Sequence, residues 1–437
     1  MENLVNIPLW AGIPFVLMLA SIAVLPLAAH EFWEHNKNKL IISLVLGIPT
    51  AIWLIAGGLI HELEHSILFD YVPFVILLGA LFVITGGIFV DGDIEATPRN
   101  NVILLAIGGV LASFMGTTGA AMLLIRPLLK INFERENKVH SVLFFIAIVA
   151  NAGGLLTPIG DPPLFMLYLR GVPFDWFFHL LPEWLFTNLV LLIIYYIYDT
   201  LQYHKEPPVL IEFDKANITP LSIKGNLNFL WLIGVVLSVA FINKNMIPEL
   251  GANKIYEFSR EIVILLMVTF SLIFTKKSIH ISNKFTWEPI KEVAYLFLGI
   301  FITMVPVLLY LEENAAQLGV NHPVQFYYAS GFLSSFLDNT PTAVTFYSLG
   351  VGLVHKMPQL FEGLPLIAGV PEHLLAAIST ASVIFGAMTY IGNGPNFMVK
   401  SIAEEQKINM PHFFQYMYKF SLIVLLPIYI IIQLLFI

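Results

Sequence analysis

Two acids lie inside otherwise apolar stretches of this sequence, and both stand beside helix-breaking residues. Asp161 sits within Thr157-Pro158-Ile159-Gly160-Asp161-Pro162-Pro163, and Asp338 opens Asp338-Asn339-Thr340-Pro341-Thr342. In hydrocarbon an ionised carboxylate costs about 3 kcal/mol on insertion scales, and acids kept there are usually functional. Protonation removes that cost, so each acid is a candidate to exchange a proton for a bound cation, the elementary step of proton-coupled antiport. The neighbouring side chains suit a hard cation. Thr117, Thr118, Asn151 and Thr157 in the first half, with Asn339, Thr340, Thr342, Ser379, Ser382, Thr389, Asn393 and Asn396 in the second, offer hydroxyl and amide oxygens. Gly116, Gly119, Gly153, Gly154, Gly160, Pro162, Pro341, Gly392, Gly394 and Pro395 would interrupt the helices that carry them. Such breaks expose carbonyl oxygens for a cation and N-terminal N–H groups for an anion. Two plainer readings stand beside this one: polar residues at breaks can simply join helices, and Arg126 can neutralise one of the acids in a static ion pair. Arg126 can also reach the headgroups by snorkelling, since Lys130 follows closely.

His61-Glu62-Leu63-Glu64-His65 matches the H-E-x-x-H pattern of metalloproteases, which sets two imidazoles on one helical face beside a general base. No third ligand stands at a characteristic spacing, and an intramembrane protease would leave the internal repeats described below unexplained. The segment reads as an amphipathic surface helix in an outer loop, so no metal site, cofactor or enzymatic activity is expected. His30-Glu31-Phe32-Trp33-Glu34-His35 reads as an interfacial turn with Trp33 at headgroup level. The chain has no cysteine, which removes disulfides, thiolate metal sites and cysteine nucleophiles.

The elements that position these residues follow from composition. Of 437 residues, 57% are hydrophobic and 12% charged, against about 25% charged in a soluble domain; the mean hydropathy is +0.80. This much apolar sequence implies an all-α integral membrane protein. The net charge of -8 is spread through short loops with no basic stripe, which excludes nucleic acid as a partner and leaves membrane lipid as the surroundings. Apolar segments of spanning length run at 8–29, 39–60, 71–90, 139–169, 176–200, 228–245, 260–275, 290–311, 366–400 and 412–436. Residues 1–9 carry no Lys or Arg, so the first segment is expected to be a retained span. Segments 101–130 and 324–354 are broken near their middles, at Gly116-Thr117-Thr118-Gly119 and at Asp338–Thr342, and fit re-entrant hairpins.

The positive-inside rule supports the hairpins. With them, fifteen of the 22 Lys and Arg residues, among them Lys37, Lys130, Lys138, Lys215, Lys276 and Lys400, share one face; Arg170, Lys244, Lys254, Arg260 and Lys356 share the other, and Arg126 and Lys419 lie within apolar segments. The first face is expected in the cytoplasm and both termini outside, giving ten spans and two hairpins. Residues 1–200 then form one repeat, with hairpin 101–130 and broken span 139–169. Residues 201–227 form a cytoplasmic linker, and 228–437 form a second, inverted repeat with hairpin 324–354 and broken span 366–400. Thr157–Met166 and Thr389–Met398 agree in residue type at six of ten positions. Inverted repeats place their broken helices together at the membrane midplane.

At these motifs the chain resembles the ion transporter superfamily, which includes the ArsB and NhaD permeases, the citrate transporters and the divalent anion symporters. Ser335-Phe336-Leu337-Asp338-Asn339-Thr340-Pro341-Thr342-Ala343 is similar to the acidic tip motif of the ArsB and NhaD branch. Over nearly its whole length the chain looks most like sodium:proton antiporters of that group, which are also described as citrate-transport proteins. The resemblance implies a secondary transporter of a bacterial inner membrane that moves sodium and protons. It also implies an elevator-like motion of hairpins and broken spans against a scaffold that often forms a homodimer. The alternative it leaves open is cation-coupled transport of citrate or another organic carboxylate, with Arg126 as counter-charge. Two departures stand out: Gly116-Thr117 replaces an acidic first tip, and the Ser-Asn-Thr signature of dicarboxylate symporters is missing from both tips.

The topology is directly testable in this cysteine-free chain. A membrane-impermeant maleimide should label Lys244→Cys in intact cells and Lys215→Cys only after permeabilisation; the reverse pattern would contradict the assigned sidedness.

Overall fold

The computed structural model describes residues 7–252 and 254–437; residues 1–6, the outer terminus in the sequence reading, lie outside the described residues. Long apolar runs become helices because hydrocarbon offers no partner for backbone N–H and C=O groups, which must be satisfied within the segment. Among the described residues, eight helices are long and apolar enough to cross a membrane, and Leu227–Phe241 and Glu372–Met388 are shorter apolar helices.

The first half contains α1 (Ile13–Ala28), α2 (Asn36–Ala56) and α3 (Ile60–Gly86), then a hairpin of α4 (Pro98–Met115) and α5 (Thr117–Ile131). A broken span follows as α6 (Val139–Ile148), a 3-10 turn at Ala152–Leu156 and α7 (Pro162–Leu169), and α8 (Leu181–Tyr203) ends the half. The same order returns with α9 (Leu227–Phe241), α10 (Ser259–Phe274), α11 (Glu288–Asn314) and a hairpin of α12 (Pro323–Phe336) and α13 (Asn339–Lys356). A second broken span runs through α14 (Glu372–Ile384), a 3-10 turn at Phe385–Met388 and α15 (Gly394–Glu405), before the final α16 (Phe413–Phe436).

The packing pattern explains why the breaks meet. The first limb of each hairpin lies against its own repeat's break, α4 on Ala152–Leu156 and α12 on Phe385–Met388. The second limb crosses over: α13 packs on α7, and α5 packs on α15. Outside this intertwined unit, α11 runs between α2 and α13. Its Gly299 lets α2 approach closely, since a Cβ there would stand 2.8 Å from Cβ of Ser43, the small-residue contact typical of membrane helices.

Four details depart from the sequence reading. The third span begins at Ile60 rather than near 71, so His61–His65 form its exposed first turns instead of a separate surface helix; a π-helical stretch, Ser66–Tyr71, joins them to the span. Its polar residues are tolerated because Ser66 Oγ donates to Phe301 O (2.9 Å) and Asp70 pairs with Arg170 (2.9 Å). The second broken span starts at Glu372, residues 366–371 being a tight antiparallel turn. The polar linker is ordered: it holds a helix, Pro208–Ala216, and a strand, Thr219–Lys224, that pairs antiparallel with Phe89–Asp93. Trp33 is buried with Lys39 Nζ 5.5 Å from its ring centroid, rather than turned outward to the headgroups.

Candidate functional site

Each break is held open by hydroxyls placed to satisfy the peptide groups it frees. In the first repeat, Thr157 Oγ1 donates to Ser113 O at the end of α4, and Ser113 Oγ donates to Gly153 O (2.5 Å). In the second, Thr389 Oγ1 donates to Ser335 O at the end of α12, and Ser334 Oγ donates to Ser382 O (2.6 Å). The last span of each repeat supplies the remaining donors. Trp184 Nε1 of α8 reaches Gly153 O (3.0 Å), while Tyr416, Ser421 and Tyr429 of α16 reach the carbonyls of Ala387, Met388 and Ile384 at 2.6–2.7 Å. The backbone repeats closely: Asp161 has φ -143° and ψ 142°, and its counterpart Asn393 has φ -146° and ψ 139°. Glycines permit the tight crossings, because a Cβ on Gly160 would lie 2.2 Å from Gly154 O, and one on Gly392 would lie 2.6 Å from Gly386 O.

These supports bring four side chains together, two from hairpin tips and two from the helix starts beyond the breaks. Asp161 is fully buried. Its Oδ1 accepts from Thr117 Oγ1 (2.7 Å) and Asn393 Nδ2 (3.3 Å), and its Oδ2 accepts from Asn339 Nδ2 (2.5 Å). Aligning Ser113-Phe114-Met115-Gly116-Thr117 with Ser335-Phe336-Leu337-Asp338-Asn339 makes Thr117 and Asn339 equivalent, just as Asp161 and Asn393 are. The cluster is therefore two-fold in position and single in charge. Behind it, Asn151 Nδ2 donates to Asn396 Oδ1 (2.7 Å), Asn393 Nδ2 lies 3.2 Å from Asn151 Oδ1, and Asn396 Nδ2 donates to Gly386 O (2.8 Å) and Thr389 O (2.9 Å). Two buried oxygens at the second tip, Asn339 Oδ1 and Thr340 Oγ1, make no hydrogen bond of good geometry among the described residues. Buried polar atoms are nearly always satisfied, so this pair offers open acceptor capacity beside a carboxylate.

Residues 4–437 match the model of a protein family described as "putative citrate transport". The chain belongs to this citrate-transport family. It is an integral membrane protein of transporter type. A 108-residue stretch, 22% of the chain, is 30% identical to the inner membrane protein YbiR of Escherichia coli (strain K12), and the match covers 29% of that relative's length.

Within this family member the other candidate residues fall in distinct places. Asp338 is half-buried and caps α13, its Oδ1 accepting from Thr340 N (2.9 Å), while Thr342 Oγ1 donates back to Asp338 O (3.1 Å). Thr118 lines a narrow cleft of about 50 Å³ between the first tip, α3 and α11, with Gly116, Thr117 and Pro162 on the same wall. Gly116 has φ +79°, a region that favours glycine, which explains why this tip carries no aspartate. Gly119 lets α5 close on α3, a Cβ there lying 2.9 Å from Thr85 Cγ2, whereas Gly394 has open space around it. Pro162, Pro395 and Pro341 occupy first turns of α7, α15 and α13, where a missing N–H is tolerated. Arg126 makes no ion pair with either acid among the described residues; the carboxylate acting on it is Glu405. His61 and His65 lie 3.9 Å from Glu64 and 4.0 Å from Asp70, apart from the cluster. Ser113, Ser334, Trp184 and Tyr429 were not legible as site residues, because they act by positioning carbonyls from elements distant in sequence.

The crossing of the first break is sensitive to volume. Gly160→Ala should lower the melting temperature in detergent and reduce transport, by about 1–3 kcal/mol of overpacking. Gly394→Ala, in open space, should change the melting temperature by less than about 2 °C; equal effects of the two would contradict this packing.

Proposed function

We propose that this protein exchanges sodium for protons, with Asp161 as the shared site. The observation that carries the reading is a buried carboxylate ringed by neutral donors, with uncommitted amide and hydroxyl oxygens at Asn339 and Thr340 and no basic side chain paired to it among the described residues. In the proton-loaded state Asp161 is neutral, as its surroundings favour. Release of that proton leaves a carboxylate, and a sodium ion taking its place restores neutrality through Asp161, Thr117 and Asn339 oxygens. One cation replaces the other, and the cluster carries the same charge in both loaded states. Access runs by the cleft at Thr118, and Asp338 at the second tip raises the local cation concentration. The hairpins and broken spans move as one body against α1–α3 and α9–α11, in an elevator-like exchange of the site between the two sides of a bacterial inner membrane, with both chain termini outside.

The helix starts favour a cation over an anion. Pro162 and Pro163 remove the first two N–H donors of α7, and Asp338 already takes the Thr340 N–H of α13. A second reading, cation-coupled uptake of citrate or a related carboxylate, is supported by the family description and by the start of α5, where the amides of Thr118 and Gly119 have no intrahelical acceptor. In that case sodium at Asp161 would form part of the anion's site.

Proteoliposomes separate the readings. Sodium addition should dissipate an imposed proton gradient, as reported by a pH-sensitive dye, without labelled citrate entering. Asp161→Asn should reduce exchange by more than about 100-fold, the scale of losing a buried charged partner, while Asp338→Asn should retain exchange with weaker apparent sodium affinity. Unchanged exchange in Asp161→Asn would reject the assignment, and sodium-dependent citrate accumulation would favour the second reading.

A further inference from the structure

A second cavity, about 990 Å³, opens between α6, α8 and α16 and takes no part in the exchange reaction. Its lining includes five apolar side chains, Leu143, Phe144, Ile194, Phe420 and Ile423, and three lysines, Lys138, Lys407 and Lys419. None of these three lysines has a carboxylate ion-pair partner among the described residues: Lys138 Nζ donates to Phe133 O (2.6 Å), and Lys419 Nζ lies 5.8 Å from the Tyr418 ring centroid. Two acids, Glu136 and Glu404, and two histidines, His140 and His412, also line it. Glu404 is held by Lys400 (2.7 Å), and His140 faces Asp199 (2.7 Å), which also pairs with Arg135 (2.7 Å).

Lys419 is the most telling residue, because it stands within the first two turns of the last apolar span, Phe413–Phe436, and is exposed there, which puts its ammonium within reach of lipid headgroups. The helix is distorted at the same place: Met417–Leu425 is π-helical, and this stretch contributes Lys419, Phe420 and Ile423 to the cavity. Such π turns are frequent at functional sites. A soluble anion would satisfy the lysines but leave the apolar wall wet, whereas a bare acyl chain would leave three cations unpaired. An amphiphile with an anionic head answers both.

We propose that this crevice binds an anionic phospholipid, its phosphate between Lys138, Lys407 and Lys419 and an acyl chain along Leu143 and Ile423. Basic pockets between membrane helices bind such headgroups. The site is separate from Asp161 and depends on the membrane setting rather than on the transported ion.

Native mass spectrometry tests it on the full chain, delipidated in mild detergent and given phosphatidylglycerol or phosphatidylcholine of identical chain length. The wild type should retain phosphatidylglycerol over phosphatidylcholine by about tenfold or more, given roughly 1 kcal/mol per lysine. The Lys138→Gln/Lys407→Gln/Lys419→Gln variant should lose that preference, and Ile423→Trp, with all lysines intact, should lower phosphatidylglycerol retention by filling the chain's path. If the triple variant does not fold, Lys419→Gln alone should weaken the preference. Wild-type preference in the lysine variants, undiminished retention in Ile423→Trp, or displacement by an equal concentration of glycerol phosphate would each overturn the proposal, the last by marking a soluble-anion site.

Discussion

A fully buried carboxylate with no basic partner among the described residues is the constraint around which this molecule is arranged. Asp161 is tolerated because Thr117, Asn339 and Asn393 direct three hydrogen bonds at it, from both hairpin tips and from the opposite break. Charge-assisted bonds of this kind are about twice as strong as neutral ones, yet they do not neutralise a charge in a low-dielectric interior. On the proposed reading, a proton or a metal cation at Asp161 supplies the missing positive charge. Every helix interruption nearby serves the same end, since only broken helices let four elements meet with side chains and peptide groups facing inward.

The two halves solve one structural problem with different chemistry. Both breaks use a threonine hydroxyl to hold a hairpin carbonyl, and both starts beyond the break share nearly identical backbone angles. At the centre, however, aspartate faces asparagine, and threonine at one tip faces asparagine at the other. Backbone geometry enforces part of this asymmetry: Gly116 stands with positive φ where the second repeat carries Asp338. The outcome is one charge shared between two pseudo-equivalent halves, which suits a site loaded by a single cation.

Much of this was legible in the residues themselves. Apolar runs gave the spans, and the clusters of Gly, Pro and polar residues at 116–119, 153–163, 338–342 and 389–396 marked the breaks, because several freed peptide groups together need protein or a watery cavity to satisfy them. The match between Thr157–Met166 and Thr389–Met398 aligns Asp161 with Asn393, two positions with nearly equal backbone angles. What stayed hidden depends on contacts across long separations. The crossing of α13 onto α7 and α5 onto α15 has no sequence signal, so the meeting of Asn339 with Asp161, 178 residues apart, could not be separated from the ring of other candidates. Arg126 was a reasonable counter-charge by composition, but on α5 it makes no ion pair with Asp161 or Asp338 among the described residues. The third span's early start was obscured because His61–His65 reads as a separate surface helix until Ser66 and Asp70 find partners on other elements.

The central claim is that sodium and a proton compete for one carboxylate, and proton counting on the purified protein tests it most directly. Sodium titrations by calorimetry in buffers of different ionisation enthalpy give the number of protons released on binding. The account predicts release of about one proton per sodium bound by the wild type and none by Asp161→Asn. Sodium binding without proton release, or equal release from the variant, would contradict it.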